Sequence, residues 1–400
     1  MPPKEHAKFQ KILRLTYYLS KFYGLSPFTY NFTTRRCTVS PAAVAYCIVI
    51  ILFMLSFYPI YCIPLYHTMI SENFEGDLES TVGKSQSAVE FIAVVLNQCI
   101  YLYYRKEIVV YFNRKIAYEK KIVQHSQILY ENVHFVVQIV ASIIIFFIKF
   151  TANHMMIYQV PSMTVTRFII LTIYLVPNAV MTLAGCNFTI EAITLRYFAA
   201  QINFMLSKMV QQLKTLPQTT SAAKKIAISC EFSDKIDHLL VLHSELNEVV
   251  IMFNNLNSFV LLLFFMYKFA EFIIPVFFEY LVVIGLSVTE VKVNLYISST
   301  LIIIFSVMES AMATISCSQL INEIATTGRI LHQFPIQNAD DRLKESINRF
   351  SIQILQEKRP IIVCGMYKVD NSLLYIMASS MTSYLIILIQ FQIEGSKSKI

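Results

Sequence analysis

Gln390 stands near the end of an otherwise apolar stretch that runs from Ser372 to Phe391. A side-chain amide is costly in hydrocarbon unless it finds hydrogen-bond partners, so such a residue faces other protein or a water-filled path. Ser383, Ile387 and Gln390 recur at intervals of four and three, which places them on one face of a helix. Ser379, Ser380, Thr382 and Ser383 add small hydroxyls that can face water or let helices pack closely. Ionisable groups also fall inside other apolar stretches: Glu90, Lys149, Lys268, Glu271 and Glu279. Lys268 and Glu271 are three apart and can neutralise each other on one helix, whereas Glu90 and Glu279 lack a local partner and suit either a pocket or the headgroup level. Catalytic patterns are missing. There is no glycine-rich phosphate loop, nucleophile elbow or carboxylate pair at catalytic spacing. The eight cysteines form no Cys-x-x-Cys pair and the eight histidines no ligand spacing, so no metal, cofactor or enzyme activity is expected.

The elements that must hold these residues follow from composition. Apolar residues make up 56% of the chain and charged residues 15%, against about 25% charged in a soluble domain. Seven apolar stretches are long enough for a bilayer, at approximately 43–66, 87–104, 133–150, 168–190, 256–285, 296–317 and 372–391. Glycine is scarce, at eight residues, and the stretches lack the period-two alternation of barrel strands, so they read as helices. The expected fold is all-α: a polytopic membrane protein with seven transmembrane helices.

Charge sets the expected orientation. Of the 33 lysines and arginines, 26 lie before the first span or in 105–132, 191–255 and 318–371. The alternate segments hold five: Lys84, Arg167, Lys292, Lys397 and Lys399. The positive-inside rule puts the N-terminus in the cytosol and the C-terminus outside. The acidic, base-free stretch 71–79 agrees. A G-protein-coupled receptor would be oriented the other way, and this chain has no tryptophan, no Asp/Glu-Arg-Tyr after the third span and no Asn-Pro-x-x-Tyr in the seventh. The expected organisation is a cytosolic N-terminal segment (1–42), a six-helix ligand-sensing region (43–317) with cytosolic helical extensions at about 191–255, a cytosolic anchor segment (318–371), a seventh helix (372–391) and an extracellular tail (392–400). Residues 8–23 suit either an interfacial amphipathic helix or an unstructured basic tail. The segments 191–255 and 318–371 read as amphipathic helices, with a helix at about 340–358, and together would form a cytosolic helical anchor layer.

The terminal cluster Ser383-Tyr384, five apolar residues, Gln390-Phe391 resembles the C-terminal signature of insect gustatory receptors, with Ser383 where that family usually has threonine. The resemblance implies a ligand-gated, non-selective cation channel of four subunits, identical or related, whose seventh helices line one pore in the plasma membrane of sensory neurons. Its partners would be a small-molecule tastant, cations and the lipid bilayer, with no nucleic acid. Four copies would place an apolar ring at Ile387, an amide ring at Gln390 with Phe391 beside it, and carboxylates at Glu394. The alternative is that Gln390 caps the helix at the interface and the serines only pack. In that family the ligand pocket lies among the outer halves of the first six spans, where Glu90, Asn97, Lys149, His154, Tyr174, Asn178, Lys268, Glu271 and Glu279 are the polar candidates here. The absence of tryptophan as a sugar-stacking platform leans the ligand class towards bitter or aversive compounds. A seven-span receptor signalling through a cytosolic partner, a transporter, or an auxiliary subunit of a heteromeric receptor remain as alternatives.

Overall fold

The computed structural model describes residues 14–73, 77–125, 133–157, 164–215, 222–285, 293–335, 340–357 and 360–397. Helix α1 (14–22) leads into a hairpin of β1 (Phe28–Asn31) and β2 (Arg36–Val39). The Asn31 side chain accepts from the amides of Thr33 (2.9 Å) and Thr34 (3.1 Å), the local bond that turns this hairpin. Ser40 then caps α2 (Pro41–Phe57), with Pro41 in the first turn, where its missing N–H costs nothing. Pro59 removes a donor further along, and the helix widens there into a π-turn (Tyr58–Cys62) before α3 (Ile63–Asn73).

Helix α4 (Asp77–Tyr103) meets α5 (Arg105–His125) at a bend of 68°. The Arg105 guanidinium donates to the Leu102 carbonyl at 2.9 Å, closing the end of α4. Then follow α6 (Val133–Ile157), α7 (Val165–Tyr174), α8 (Val176–Lys214), α9 (Ala222–Val283) and α10 (Val293–Leu331). Helix α11 (Asp341–Gln356), a short hairpin of β3 (Ile362–Val363) and β4 (Tyr367–Lys368), and α12 (Asn371–Lys397) complete the chain. Among the described residues, six helical segments are long and apolar enough to cross a bilayer, and the bent pair α4–α5 makes up to seven. The seven apolar stretches of the sequence match them one for one. The two hairpins are the departure from an all-α reading.

Helix α9 has 62 residues and is about 93 Å long, three times a hydrocarbon core. Its first half therefore projects from the bundle together with the ends of α8 and α10. Buried polar staples hold this projecting layer. Asn203 donates to Glu323 at 2.8 Å and accepts from Thr327 at 2.7 Å, while Arg196 donates to Gln319 at 2.6 Å. Helix α11 lays Leu343, Ile347 and Phe350 on α9, and Ser233 and Ser346 bond at 2.8 Å beneath them.

The polar interruption Asn254–Ser258 within α9 has a specific task. Asn254 accepts from the Ile362 amide at 3.0 Å and Ser258 from the Cys364 amide at 2.6 Å, so α9 grips the β3–β4 hairpin. Its tight turn carries φ of +48° at Cys364 and +73° at Gly365. Ile361 and Val363 bury against α9 on this grip. The hairpin in turn delivers the chain into α12.

His243 lies buried on α9 in the projecting layer, edge-on to Phe350 and 3.8 Å from Glu357. Burial pushes its imidazole down to about 4 from an ordinary 6.5, with Glu357 pulling the other way. The unfolded chain therefore takes up this proton first. The folded state keeps its full stability above pH 6.5 and loses about 3 kcal/mol as pH falls from 6.5 to about 4. Thermal unfolding of the purified protein across pH 4 to 8 is expected to show that decline, and His243→Gln to flatten it.

Candidate functional site

Four of the polar candidates from the sequence, Lys149, Asn178, Lys268 and Glu271, meet in the middle of the bundle, where four helices contribute. Lys149 on α6 reaches Glu271 on α9 at 2.7 Å and Glu309 on α10 at 3.3 Å. Lys268 on α9 reaches the same two carboxylates at 2.7 and 2.6 Å. All four charged residues are buried, with Lys149 at 0% exposure. Two ammonium and two carboxylate groups sum to zero, which is what makes their burial tolerable. The remaining hydrogen-bond capacity of Glu271 goes to Asn178 on α8 (2.6 Å), Ser306 on α10 (2.6 Å) and Tyr267 (3.2 Å). Thr182 on α8 takes a bond from Lys149 at 3.2 Å.

Local sequence spacing arranges each arm of this cluster. Tyr267, Lys268 and Glu271 occupy one turn of α9, Ser306 and Glu309 one turn of α10, and Asn178 and Thr182 one turn of α8. Gly185, three residues after Thr182, lets the helices close: an added Cβ there would run into the Phe264 ring and stand 2.9 Å from Glu309 Oε1. The Lys268–Glu271 pairing was legible from the i, i+3 spacing. Glu309 was not among the sequence candidates, although it too is a carboxylate inside an apolar stretch, 296–317.

The other candidates divide into separate places. Glu90 on α4 accepts from Gln86 at 3.1 Å, and Gln86 in turn accepts from the Tyr66 hydroxyl at 3.0 Å. Tyr66 stacks on Tyr174 (4.5 Å), Tyr174 on Tyr58 (5.8 Å) and Tyr58 on Phe91 (5.4 Å). Glu90 and Tyr174 thus belong to one aromatic cluster between α4, α7 and the π-turn. Asn97, two turns along α4 from Glu90, is fully buried, and neither amide atom has a hydrogen-bond partner among the described residues. His154 packs on Phe150 at 4.1 Å, and Asn153 beside it bonds Asn178 at 3.3 Å. Glu279 is half-buried and accepts from Thr300 at 3.3 Å, linking α9 to α10.

Helix α12 has two unlike faces. Leu373, Met377, Met381, Leu385 and Leu388 recur at helical spacing and pack on the bundle. Gln392 continues that row and donates to the buried Glu79 of α4 at 2.8 Å. On the opposite side Ile376, Ser383, Ile387, Gln390 and Glu394 are exposed, with Tyr384 and Phe391 flanking them. Ser383 satisfies its hydroxyl on the Ser379 carbonyl at 3.0 Å, and Thr382 on that of Ala378 at 2.9 Å. Gln390 has no partner among the described residues. Hydroxyls bonded this way tolerate lipid; an unpaired amide and a carboxylate on the same face do not.

A family model described as 7tm chemosensory receptor matches residues 13–395. Among curated proteins, the chain is similar to gustatory receptors of Drosophila melanogaster. It is 27% identical to the gustatory receptor for bitter taste 66a over 175 residues, 43% of this chain and 33% of that protein. It is 22% identical to the gustatory receptor for bitter taste 93a over 228 residues, 56% and 52% of the two. The chain thus spans about a third and about half of the length of these relatives. Among solved structures, the olfactory receptor OR5 from Machilis hrabei aligns over 97% of this chain and 100% of its own, with a TM-score of 0.65 and 10% identity. Its complex with eugenol aligns over 96% and 98%, with a TM-score of 0.61 and 13% identity. The shared fold is what these two establish.

Breaking one partner of the four-charge cluster leaves an unbalanced charge in the membrane, a loss of about 3–5 kcal/mol. Lys149→Met is therefore expected to lower the unfolding temperature of the purified protein and its yield at the cell surface. Lys149→Met combined with Glu309→Gln restores neutrality and is expected to recover part of that loss, a non-additivity that a double-mutant cycle reads directly.

Proposed function

Because this chain belongs to the 7tm chemosensory receptor family, we propose that it is a gustatory receptor acting as a ligand-gated, non-selective cation channel, assembled from four identical or related subunits. The two-sided α12 carries this reading. One face is packed on its own bundle, while the other presents Ser383, Ile387, Gln390 and Glu394 with nothing among the described residues to cover them. Around a fourfold axis those residues would face a shared aqueous path. Ile387 would close it by dewetting, Gln390 would replace part of an ion's hydration, and Glu394 would favour cations at the mouth. The N-terminus and the projecting helical layer would lie in the cytosol and the C-terminus outside, at the plasma membrane of sensory neurons, as the excess of basic residues on that side favours.

The ligand would enter between the helices on the side away from the projecting layer. Glu90 and Tyr174, with Asn97 along the same helix, supply aromatic faces and unsatisfied polar groups for it. Asn178 and Glu271 would act through the charge cluster, and His154 and Glu279 would sit at its margin. Bitter or otherwise aversive compounds are the proposed class, supported by the bitter taste for which two Drosophila relatives are named and by the absence of tryptophan.

Patch recording of the expressed chain, alone and with related subunits, tests the class. Tastant-evoked cation current without G-protein signalling is the expected result, and a response confined to sugars would refute the ligand class. Gln390→Ala and Ile387→Ala are expected to change conductance or basal leak. Tyr174→Ala and Glu90→Gln are expected to shift the half-maximal ligand concentration about tenfold or more, equivalent to about 1.4 kcal/mol, at unchanged conductance. An N-terminal epitope reached by antibody on intact cells would overturn the orientation.

A further inference from the structure

At the end of the bundle near the projecting layer, a cavity of about 180 Å³ lies under the N-terminal segment. Its walls come from α1, the β1–β2 hairpin, the α4–α5 bend, α8 and α9. Tyr101 of this wall is 11 residues from Glu90, about 16 Å along the helical rise, so the cavity lies further along α4 than the Glu90 end of the aromatic cluster, with Leu25 and Tyr101 packed between the two.

The N-terminal segment is fastened over it as a clasp. Asn113 of α5 bonds both backbone groups of Cys37, at 2.8 and 2.9 Å, as a neighbouring strand would. Arg35 forks onto Glu119 at 2.8 and 2.9 Å, Gln98 donates to the Tyr23 carbonyl at 3.0 Å, and Asn187 donates to Ser20 at 2.8 Å. These four ties come from three different helices, so the enclosure is built into the fold.

The lining states the chemistry of an occupant. Tyr17, Phe28, Tyr104, Phe112 and Phe188 give it an aromatic interior. Its four charged residues are already matched, Lys115 to Glu191 at 2.6 Å and Arg35 to Glu119 at 2.8 Å. A charged ligand would find no counter-ion, so the occupant is neutral. Asn257 gives one amide N–H to the Phe253 carbonyl at 2.8 Å, and its second N–H and its carbonyl oxygen bond nothing among the described residues. That leaves an acceptor and a donor side by side, the pair a hydroxyl on the occupant can use. In size, the cavity slightly exceeds the ~150 Å³ that admits benzene in an engineered apolar core.

We propose that this cavity is a second small-molecule site, taking a neutral single-ring compound that carries one hydroxyl, such as a phenol, beneath the N-terminal clasp. Its occupant would rest on Leu256, Asn257 and Val260, the same turns of α9 whose Asn254 and Ser258 hold the hairpin ahead of α12. Filling the site therefore stiffens the mount of α12. That regulatory consequence rests on the channel reading above; the binding itself does not.

The test uses 4-iodophenol with the purified full chain in lipid nanodiscs, read by equilibrium dialysis and by electron cryomicroscopy for the iodine position. Saturable uptake of one molecule per chain is expected, with iodine between Tyr17, Phe112 and Phe188. Val260→Phe and Ile100→Phe fill the cavity from different walls, and each is expected to weaken uptake at least tenfold while the unfolding temperature stays within a few degrees. Should either variant fail to fold, the iodine position in the unaltered chain still decides. No saturable uptake, iodine elsewhere, or loss on Tyr174→Ala but not on Val260→Phe would overturn the proposal. So would a lipid acyl chain retained in the cavity with no exchange for 4-iodophenol. No current is recorded, so this outcome is independent of whether the chain conducts ions.

Discussion

An ionised side chain in hydrocarbon has only other protein to turn to, and the bundle is organised around that constraint. Lys149, Lys268, Glu271 and Glu309 lie on three helices, and each needs two opposite charges within about 3 Å. Helix α6 cannot drift from α9, nor α9 from α10, without exposing a bare charge to lipid. Apolar packing in a membrane lacks the hydrophobic drive it has in water, so close contact and polar bonds must supply specificity. Gly185 lets the backbone come close enough for those bonds to form.

Helix α9 connects the parts of the molecule. Within one unbroken rod it carries His243 in the projecting layer, Asn254 and Ser258 at the hairpin, and Lys268 and Glu271 in the core. Displacement of either end is felt at the hairpin, and the hairpin leads directly into α12. A strained turn with two consecutive positive φ values is a sharp joint of this kind. Helix α12 has a thinner hold on the bundle by comparison: among the described residues, one apolar row, the Tyr384–Phe269 ring contact and the Gln392–Glu79 bond.

Much of this was legible in the sequence, because local periodicity reports who shares a helix face. The seven spans follow from the length of apolar runs, and the helix at 341–356, the Lys268–Glu271 pair and the Ser383–Ile387–Gln390 face from spacings of three, four or seven. Partners far apart in the chain were not legible. Lys149 finds Glu271 122 residues away and Glu309 160 away, and no local spacing announces either. The hairpins escaped for another reason: strands of two to four residues, held by side chains of a distant helix, have too little pattern of their own. The asparagines at 254, 255 and 257 interrupt an apolar pattern, and only the fold explains Asn254, as a receptor for backbone amides.

The 122 residues between Lys149 and Glu271 also have a meaning in time. At about 5–20 residues per second, a ribosome needs roughly 6–24 s to make the carboxylate after the lysine. Until then α6 carries an amine with no counter-charge, a cost of about 2.5–3.5 kcal/mol to the lone span. That cost is lifted only when α9 and α10 bring their carboxylates. The cluster that locks the finished bundle thus also gives its middle helices a reason to settle together, late in biogenesis.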